Sequence, residues 1–214
     1  MSKGVDLSEW QGQVDFEELK SCGADFVILR AGFGGSIGQK DSKFEDNYNK
    51  AKKAGLNVGV YWNSYAVTVM DAKKEAEACL EVIKNKKFEC PIYFWLDREQ
   101  QFVKGTEHCS ELVLAFCNTI ETNGYMSGLH ISNINKVERK ILDKFALWVE
   151  EVDAVAELAA GMVRAPKVTM TNISNYPIAI NTSNVDYSIA IKAKELNGYV
   201  NDATATLNDI GNIG

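Results

Sequence analysis

The sequence predicts an α/β fold, a single (β/α)8-like barrel, and three observations lead to that prediction. Short apolar runs alternate with amphipathic helical segments along the chain, which is typical of parallel strands joined by crossover helices. The run at residues 26–32 is apolar at successive positions, as expected for a strand covered on both faces. Seven or eight such units follow without a break in composition, which favours a barrel, although 214 residues are few for one.

The first half of the chain is predicted to hold three strands and three helices. We place the strands at residues 4–8, 26–32 and 58–63. We place the helices at residues 16–21, 43–54 and 71–84. Asp15 is a suitable N-cap for the first helix, and Gly23 and Gly55 are suitable stops for the first two. Apolar residues recur on one side of the third helix, as expected of a helix that packs on a sheet.

The second half continues the alternation. Strands are predicted at residues 91–98, 127–132, 145–150 and 167–173. Helices are predicted at residues 106–123, 134–142 and 152–162. Residues 185–190 are predicted to form either a last strand or the start of a closing helix. We assign residues 1–196 to one barrel domain and the small, polar residues 197–214 to a C-terminal tail.

Charge and hydropathy exclude several classes of function. The net charge is −6 and the pI is near 5.1, whereas nucleic-acid binding needs a basic patch, so no nucleic-acid partner is expected. No run of eighteen apolar residues is present, so no membrane span is predicted. Residues 1–10 contain no apolar signal core. We therefore expect either a cytoplasmic protein, as in recombinant expression, or a chain from which a leader was removed.

The cysteines and histidines do not predict a metal site. Five cysteines without a CxxC spacing argue against a disulfide framework and against zinc. Only two histidines, His108 and His130, are present. We predict no cofactor and no bound metal, and we interpret the cysteines as small buried hydrophobic residues.

The most informative stretch is residues 91–98, a predicted buried strand that ends in charge. The period of two places Tyr93, Trp95 and Asp97 on one face of this strand. A carboxylate beside a large aromatic residue at the end of a strand is typical of an α/β protein that presents a site at its strand ends. This stretch therefore predicts a functional site at the carboxyl ends of the strands.

Several motifs together resemble one enzyme family. They are GVDLSEWQG at residues 4–12, FVILRAG at 26–32, VGVYWNSYA at 58–66, PIYF at 91–94, GY at 124–125, LW at 147–148 and NVD at 184–186. This set resembles the family 25 glycoside hydrolases, the Chalaropsis-type lysozymes. The resemblance implies a compact (β/α)8-like barrel that hydrolyses the muramyl bond of peptidoglycan, in members that are typically secreted.

The resemblance also implies a set of acids, and this chain departs from it. Asp6 and Asp186 match two family aspartates that line the cleft. The family carries Asp-x-Glu at the end of strand four, with the glutamate as proton donor, but Trp95 and Asp97 occupy those two positions. Trp95 cannot act as an acid, and Asp97 is one methylene shorter than glutamate. Glycosidic cleavage needs two carboxyl groups, so native muramidase activity is expected to be lost.

Further departures fall at the strand ends. Trp62 and Asn63 follow the strand-three tyrosine, His130 stands where tyrosine is usual, Glu150 replaces a small residue, and Met170 replaces a tryptophan. The changes cluster at one face and introduce new chemistry. We interpret this pattern as an engineered lysozyme-type scaffold with a rebuilt active site.

The rebuilt pocket is predicted to take a small aromatic molecule. Asp97 and His130 end neighbouring strands, so they could form a general base for proton abstraction or ester hydrolysis, and Glu150 could be a second base. The catalytic candidates are Asp6, Asp97, His130 and Glu150. The substrate-binding candidates are Trp62, Asn63, Trp95, Trp148, Met170 and Asp186.

Two alternatives stay open. The first is an impaired or inactive muramidase that still binds peptidoglycan glycan. The second is a designed ligand-binding or structural barrel without catalysis.

Overall fold

The computed structural model describes residues 4–149, 167–171 and 186–192. The eight strands are β1 (Gly4–Leu7), β2 (Phe26–Phe33), β3 (Asn57–Asn63), β4 (Ile92–Leu96), β5 (Ser127–Ile131), β6 (Ala146–Val149), β7 (Lys167–Thr171) and β8 (Asp186–Lys192). The α-helices are α1 (Phe16–Ser21), α2 (Phe44–Lys53), α3 (Val69–Ile83), α4 (Glu99–Phe102), α5 (Thr106–Thr122) and α6 (Arg139–Leu142). Three short 3₁₀ turns lie at Glu9–Gln11, Ile37–Gln39 and Ile134–Lys136.

The strands follow one another around the sheet in chain order, and β8 closes it against β1. Strands β1 to β7 pair in parallel with their neighbours, and β8 runs antiparallel to both β7 and β1. The predicted α/β fold is confirmed. Because β8 runs against its neighbours, the sheet is not a regular (β/α)8 barrel, in which all strands are parallel.

Some predicted elements differ from those observed. The helix predicted at residues 134–142 is a 3₁₀ turn followed by the four-residue helix α6, because Val137 between them has extended backbone. Helix α4 follows β4 directly and was not predicted. The segment at residues 185–190 is the strand β8. The helix predicted at residues 152–162 and the tail at 197–214 lie outside the described residues.

The outer core lies between the helices and the sheet. Helix α3 begins with a capping box, in which the Thr68 hydroxyl accepts the Asp71 N–H at 3.1 Å and Asp71 Oδ2 accepts the Thr68 N–H at 3.0 Å. Its apolar side is buried against the sheet and α5, as the spacing of Ala72, Ala76 and Cys79 predicts. This packing holds the helices against the outside of the sheet, so the site lies at the ends of the strands.

Inside the sheet, glycines on three strands make room for larger side chains on their neighbours. A Cβ at Gly4 would lie 2.4 Å from the Phe26 ring, and one at Gly128 would lie 2.6 Å from the Tyr93 ring. A Cβ at Gly59 would lie 2.8 Å from the Ile28 side chain. The interior is therefore filled by side chains from alternating positions, as in other small closed sheets.

Candidate active site

The carboxyl ends of β3 to β6 place four predicted site residues in one row. Trp95 is the register partner of Asn63 on β3 and of His130 on β5. His130 is in turn the partner of Trp148 on β6. Neighbouring strands lie about 4.8 Å apart, so side chains of this row that share a face are in contact. The structure thus brings together Asn63, Trp95, His130 and Trp148.

These aromatic side chains form a packed cluster. The rings of Trp95 and His130 stack with centroids 3.6 Å apart and an interplanar angle of 19°. Trp148 meets both edge-on, at 5.1 Å from Trp95 and 4.6 Å from His130, and Tyr61 lies 4.8 Å from Trp95. His130 and Trp148 are fully buried, whereas Trp95 is half-buried at the rim. The stack leaves no gap between Trp95 and His130 for a flat ligand.

Asp97 lies at the edge of this cluster and faces solvent. It follows the last residue of β4, and its carboxylate accepts a hydrogen bond from the Ser132 hydroxyl at 2.6 Å. The dyad of Asp97 and His130 stays a prediction. Asp97 is held by Ser132, and His130 is stacked on Trp95.

Trp62 lies in the outer core and not at the site. Its side chain is fully buried, and its indole N–H donates to the Gly34 carbonyl at 2.9 Å. A Cβ at Gly32 would lie 2.7 Å from the Trp62 ring, so this glycine makes room for the indole. Successive residues of a strand point to opposite faces, and here Tyr61 belongs to the interior cluster while Trp62 belongs to the outer one.

The two acids retained from the family pattern lie opposite each other. Asp6 on β1 and Asp186 on β8 are register partners across the antiparallel pair. Asp6 is buried. Burial first and the negative charge of Asp6 second raise the pKa of Tyr61 above its usual 10. This part of the site therefore keeps a buried carboxylate, and the phenol of Tyr61 is neutral near pH 7.

An ion-pair network that was not predicted anchors the loop after β1. Arg30 donates to Asp41 Oδ2 and to Glu9 Oε1, each at 2.7 Å, and Asp41 also accepts the Glu9 N–H at 3.0 Å. The Ser42 hydroxyl donates to Glu9 at 2.7 Å, and this bond and the charge of Arg30 lower the pKa of Glu9. The signal in the sequence was a charged residue, Arg30, inside the otherwise apolar run at 26–32.

A second unpredicted network anchors the loops after β3 and β4. Buried Gln101 donates to Ser64 Oγ at 3.0 Å and to the Ala66 carbonyl at 3.1 Å, and it accepts the Arg98 N–H at 2.9 Å. Glu75 on α3 accepts the Tyr65 N–H at 2.7 Å. Burial raises the pKa of Glu75 to about 7. The signal for Glu75 was a carboxylate inside the apolar stripe of a helix.

Two predicted site residues remain, Glu150 and Met170. Glu150 lies outside the described residues. Met170 is on β7, with Val149 and Ile189 as its register partners. Within residues 4–149, 167–171 and 186–192, no group of three or more His, Cys, Asp or Glu residues has the geometry of a metal site. No helix in the same residues is long and apolar enough to cross a bilayer.

Comparison with known proteins identifies a family for this chain. The family model for glycosyl hydrolases family 25 matches residues 5–167. The autolytic lysozyme of Clostridium acetobutylicum is 26% identical over 155 residues, which are 70% of this chain and 44% of the lysozyme. This chain thus spans less than half the length of that relative.

Solved structures share the fold. The CTP1L endolysin superposes with a TM-score of 0.70 at 21% identity, over 94% of this chain and 70% of the endolysin. The autolysin LytC of Streptococcus pneumoniae, solved with a synthetic peptidoglycan ligand, gives a TM-score of 0.69 at 20% identity, over 88% of this chain and 46% of LytC.

These comparisons carry no sign that the active site was engineered, so the interpretation of a designed protein lacks support. The family model spans most of the chain, and the retained Asp6 and the strand-end site agree with it. The chain belongs to the glycosyl hydrolases of family 25.

Proposed function

We propose that this protein binds the glycan strand of peptidoglycan at the carboxyl ends of its strands. We further propose that it cleaves the muramyl bond far more slowly than a family member with two acids after strand four. The observation that carries the proposal is the stack of Trp95 on His130, because it fills the position that the family gives to a carboxylate.

The arrangement of acids supports slow cleavage. Hydrolysis of a glycosidic bond needs a proton donor and a second carboxylate that stabilises or generates the nucleophile. Asp97 occupies the donor position, but its side chain ends roughly 1 to 1.5 Å short of where a glutamate would end. A displacement of that size costs about a hundredfold in rate. The loss of the carboxylate at position 95 adds to this cost.

Exposed aromatic side chains near the strand ends support glycan binding. Trp10 is 72% exposed and follows β1, and Tyr65 is 43% exposed and follows β3. Phe33 ends β2 and lies 5.7 Å from the Tyr65 ring. Ring faces at the mouth of a site, with a few polar groups, are suited to hold a sugar. LytC, which shares this fold, was solved in complex with a synthetic peptidoglycan ligand, and this supports the proposal.

The direct test restores the acids. We expect the double variant Trp95→Asp with Asp97→Glu to clear a suspension of bacterial cell walls at least a hundredfold faster than the parent, because both carboxyl groups return to their positions. Cosedimentation with insoluble peptidoglycan measures binding, and we expect the parent and the double variant to bind alike.

The control is the single variant Asp97→Glu, which lengthens the acid but keeps the stacked indole. Circular dichroism and a melting curve establish that each variant is folded. A parent that neither cosediments with peptidoglycan nor clears cell walls would refute the proposal. A parent that clears them at the rate of the restored variant would refute the slow-cleavage part.

A pocket rebuilt for a small aromatic molecule has less support. The face-to-face stack of Trp95 and His130 occupies the space in which such a molecule was expected to bind. The Asp97 carboxylate accepts a hydrogen bond from the Ser132 hydroxyl, and this contact competes with the one that a general base made from Asp97 and His130 needs. A panel of chromogenic aromatic esters, with Asp97→Asn and His130→Ala, measures any remaining base or nucleophilic activity.

A further inference from the structure

We propose that Arg98, held by Tyr65, binds a carboxylate of the glycan and makes acidic muramyl fragments the preferred ligands over neutral sugars. This inference rests on the proposed function. It concerns a position at which the family commonly carries an acid and this chain carries an arginine.

The guanidinium of Arg98 is held over an aromatic ring. Its Cζ lies over the Tyr65 ring, 3.5 Å from the ring centroid, which is direct contact with the ring face. An arginine stacked in this way keeps the N–H donors of its edge free to point away from the ring. Both residues are exposed, and Arg98 directly follows Asp97, the residue at the family's proton-donor position.

The backbones of both residues are fixed by buried groups. The Arg98 N–H donates to Gln101, which in turn donates to Ser64 and to the Ala66 carbonyl. The Tyr65 N–H donates to Glu75. Gln101 and Glu75 are almost completely buried. A donor group anchored in this way loses little conformational entropy when a ligand binds.

The charge of Arg98 is available to a ligand. Among the arginines within the described residues, Arg30 is paired with Glu9 and Asp41, and Arg139 with Asp143, whereas Arg98 lies within ion-pair distance of no described carboxylate. The whole chain carries a net charge of −6 and would repel anions in general. A guanidinium that has no carboxylate partner among the described residues is therefore a local attraction for an anion, and its fork geometry suits a carboxylate.

Two kinds of muramyl fragment present a carboxylate there. A fragment without a peptide stem has a free lactyl carboxylate on its muramyl residue. A fragment with a stem has that group in amide linkage, and its carboxylates lie on the peptide. An oligomer of N-acetylglucosamine has the same kind of sugar ring and no carboxylate, so it serves as the neutral ligand.

The test measures binding of these three ligands by calorimetry to the parent, Arg98→Gln and Arg98→Lys. We expect Arg98→Gln to bind at least one acidic fragment about tenfold more weakly, because a charge-assisted pair is lost, and to bind the neutral oligomer as the parent does. Arg98→Lys is expected to recover part of the affinity, since lysine keeps the charge but not the fork. Arg139→Gln, an exposed arginine on α6, is the matched control and is expected to change nothing.

The outcomes separate the two proposals. If Arg98→Gln loses affinity only for the stem-free fragment, Arg98 binds the lactyl carboxylate. If it loses affinity only for the stem-bearing fragment, Arg98 binds a carboxylate of the peptide. If Arg98→Gln binds every fragment as the parent does, the role of Arg98 is refuted while the proposed glycan binding stands. If the parent binds none of the three ligands, the proposed function itself fails.

Discussion

A buried ion pair lies near the carboxyl end of β2. Arg30 and Asp41 are both buried, and their ion pair at 2.7 Å joins β2 to the loop that follows it. A buried carboxylate that loses its cation is strongly destabilising, because desolvation is no longer offset by the opposite charge.

We therefore expect Arg30→Gln to lower the free energy of unfolding by about 3 kcal/mol. Urea denaturation followed by circular dichroism measures the change. The control is Lys50→Gln, which breaks an exposed pair with Asp46 on α2 and is expected to cost less than about 0.5 kcal/mol. Equal losses in the two variants would show that Asp41 does not depend on Arg30.

Glu75 gives a pH dependence of stability that its sequence position alone does not suggest. Burial, with the negative charge of Asp71 as a smaller cause, raises its pKa in the folded state from the usual 4.5 to about 7. The folded protein then binds more protons at this site than the unfolded chain between pH 4.5 and 7. The stabilising effect is complete below pH 4.5 and is lost as the pH rises to about 7.

We expect the Glu75 contribution to the free energy of unfolding to fall by on the order of 3 kcal/mol across this range. Glu75→Gln keeps an acceptor for the Tyr65 N–H and removes the titration, so the difference between variant and parent should grow with pH. Urea denaturation at a series of pH values measures this difference. A difference that is constant with pH would contradict the raised pKa.

At the scale of elements, the glycines of the sheet interior are set by close packing. Gly128 on β5 lies against the Tyr93 ring and the Ala146 carbonyl, at 2.6 and 2.9 Å from the position of a Cβ. A methyl group there must displace backbone or a buried ring, and interiors are too dense to absorb it.

We expect Gly128→Ala to lower the free energy of unfolding by about 1 to 3 kcal/mol. Gly35→Ala, in the loop after β2, is the control. The nearest atom to a Cβ at that position is 4.0 Å away. That variant is expected to be neutral or slightly more stable, since alanine restricts the unfolded chain. Melting curves of both variants measure these changes. If Gly128→Ala is as stable as the parent, the interior can shift to accept a methyl group.

The elements also determine which site residues meet. The order of the strands brings Asn63, Trp95, His130 and Trp148 into one row, although they are spread over β3 to β6 in the chain. The same order places Asp6 on the first strand opposite Asp186 on the last strand, because β8 pairs with β1. Residues that are far apart in the sequence are therefore neighbours in this site.

At the scale of the whole molecule, the packed layers protect the thiols. All five cysteines are thiols in the structure, and Cys79, Cys109 and Cys117 are fully buried between helices and sheet. Burial raises the pKa of each of these three thiols, so their reactive thiolate form is rare at neutral pH.

We expect a thiol reagent to label only the half-buried Cys22 and Cys90 in the native protein. In guanidinium chloride all five should be labelled. Mass spectrometry of the labelled peptides measures both states. Rapid native labelling of Cys79 would mean that the layer between α3 and the sheet opens readily.

The sequence predicts the bodies of the elements better than the contacts of the site. Residues 26–32 and 106–122 carry strong local patterns, and the structure has β2 and α5 there. Helix α4 has four residues, too few for a periodic signal, and it was missed. Trp62 was expected at the site because it follows a family tyrosine, but alternation along β3 turns it to the outer core.

The sequence by itself determined the alternation of strands and helices, the family, and the loss of an acid at position 95, since each of these depends on residue types and spacing along the chain. Only the tertiary structure decided that Trp95 stacks on His130, that Asp97 binds Ser132, and that Arg98 lies on Tyr65. These contacts join residues that are tens of positions apart, and they depend on strand register and side-chain direction. Both are set by packing of the whole sheet, which local sequence patterns do not encode.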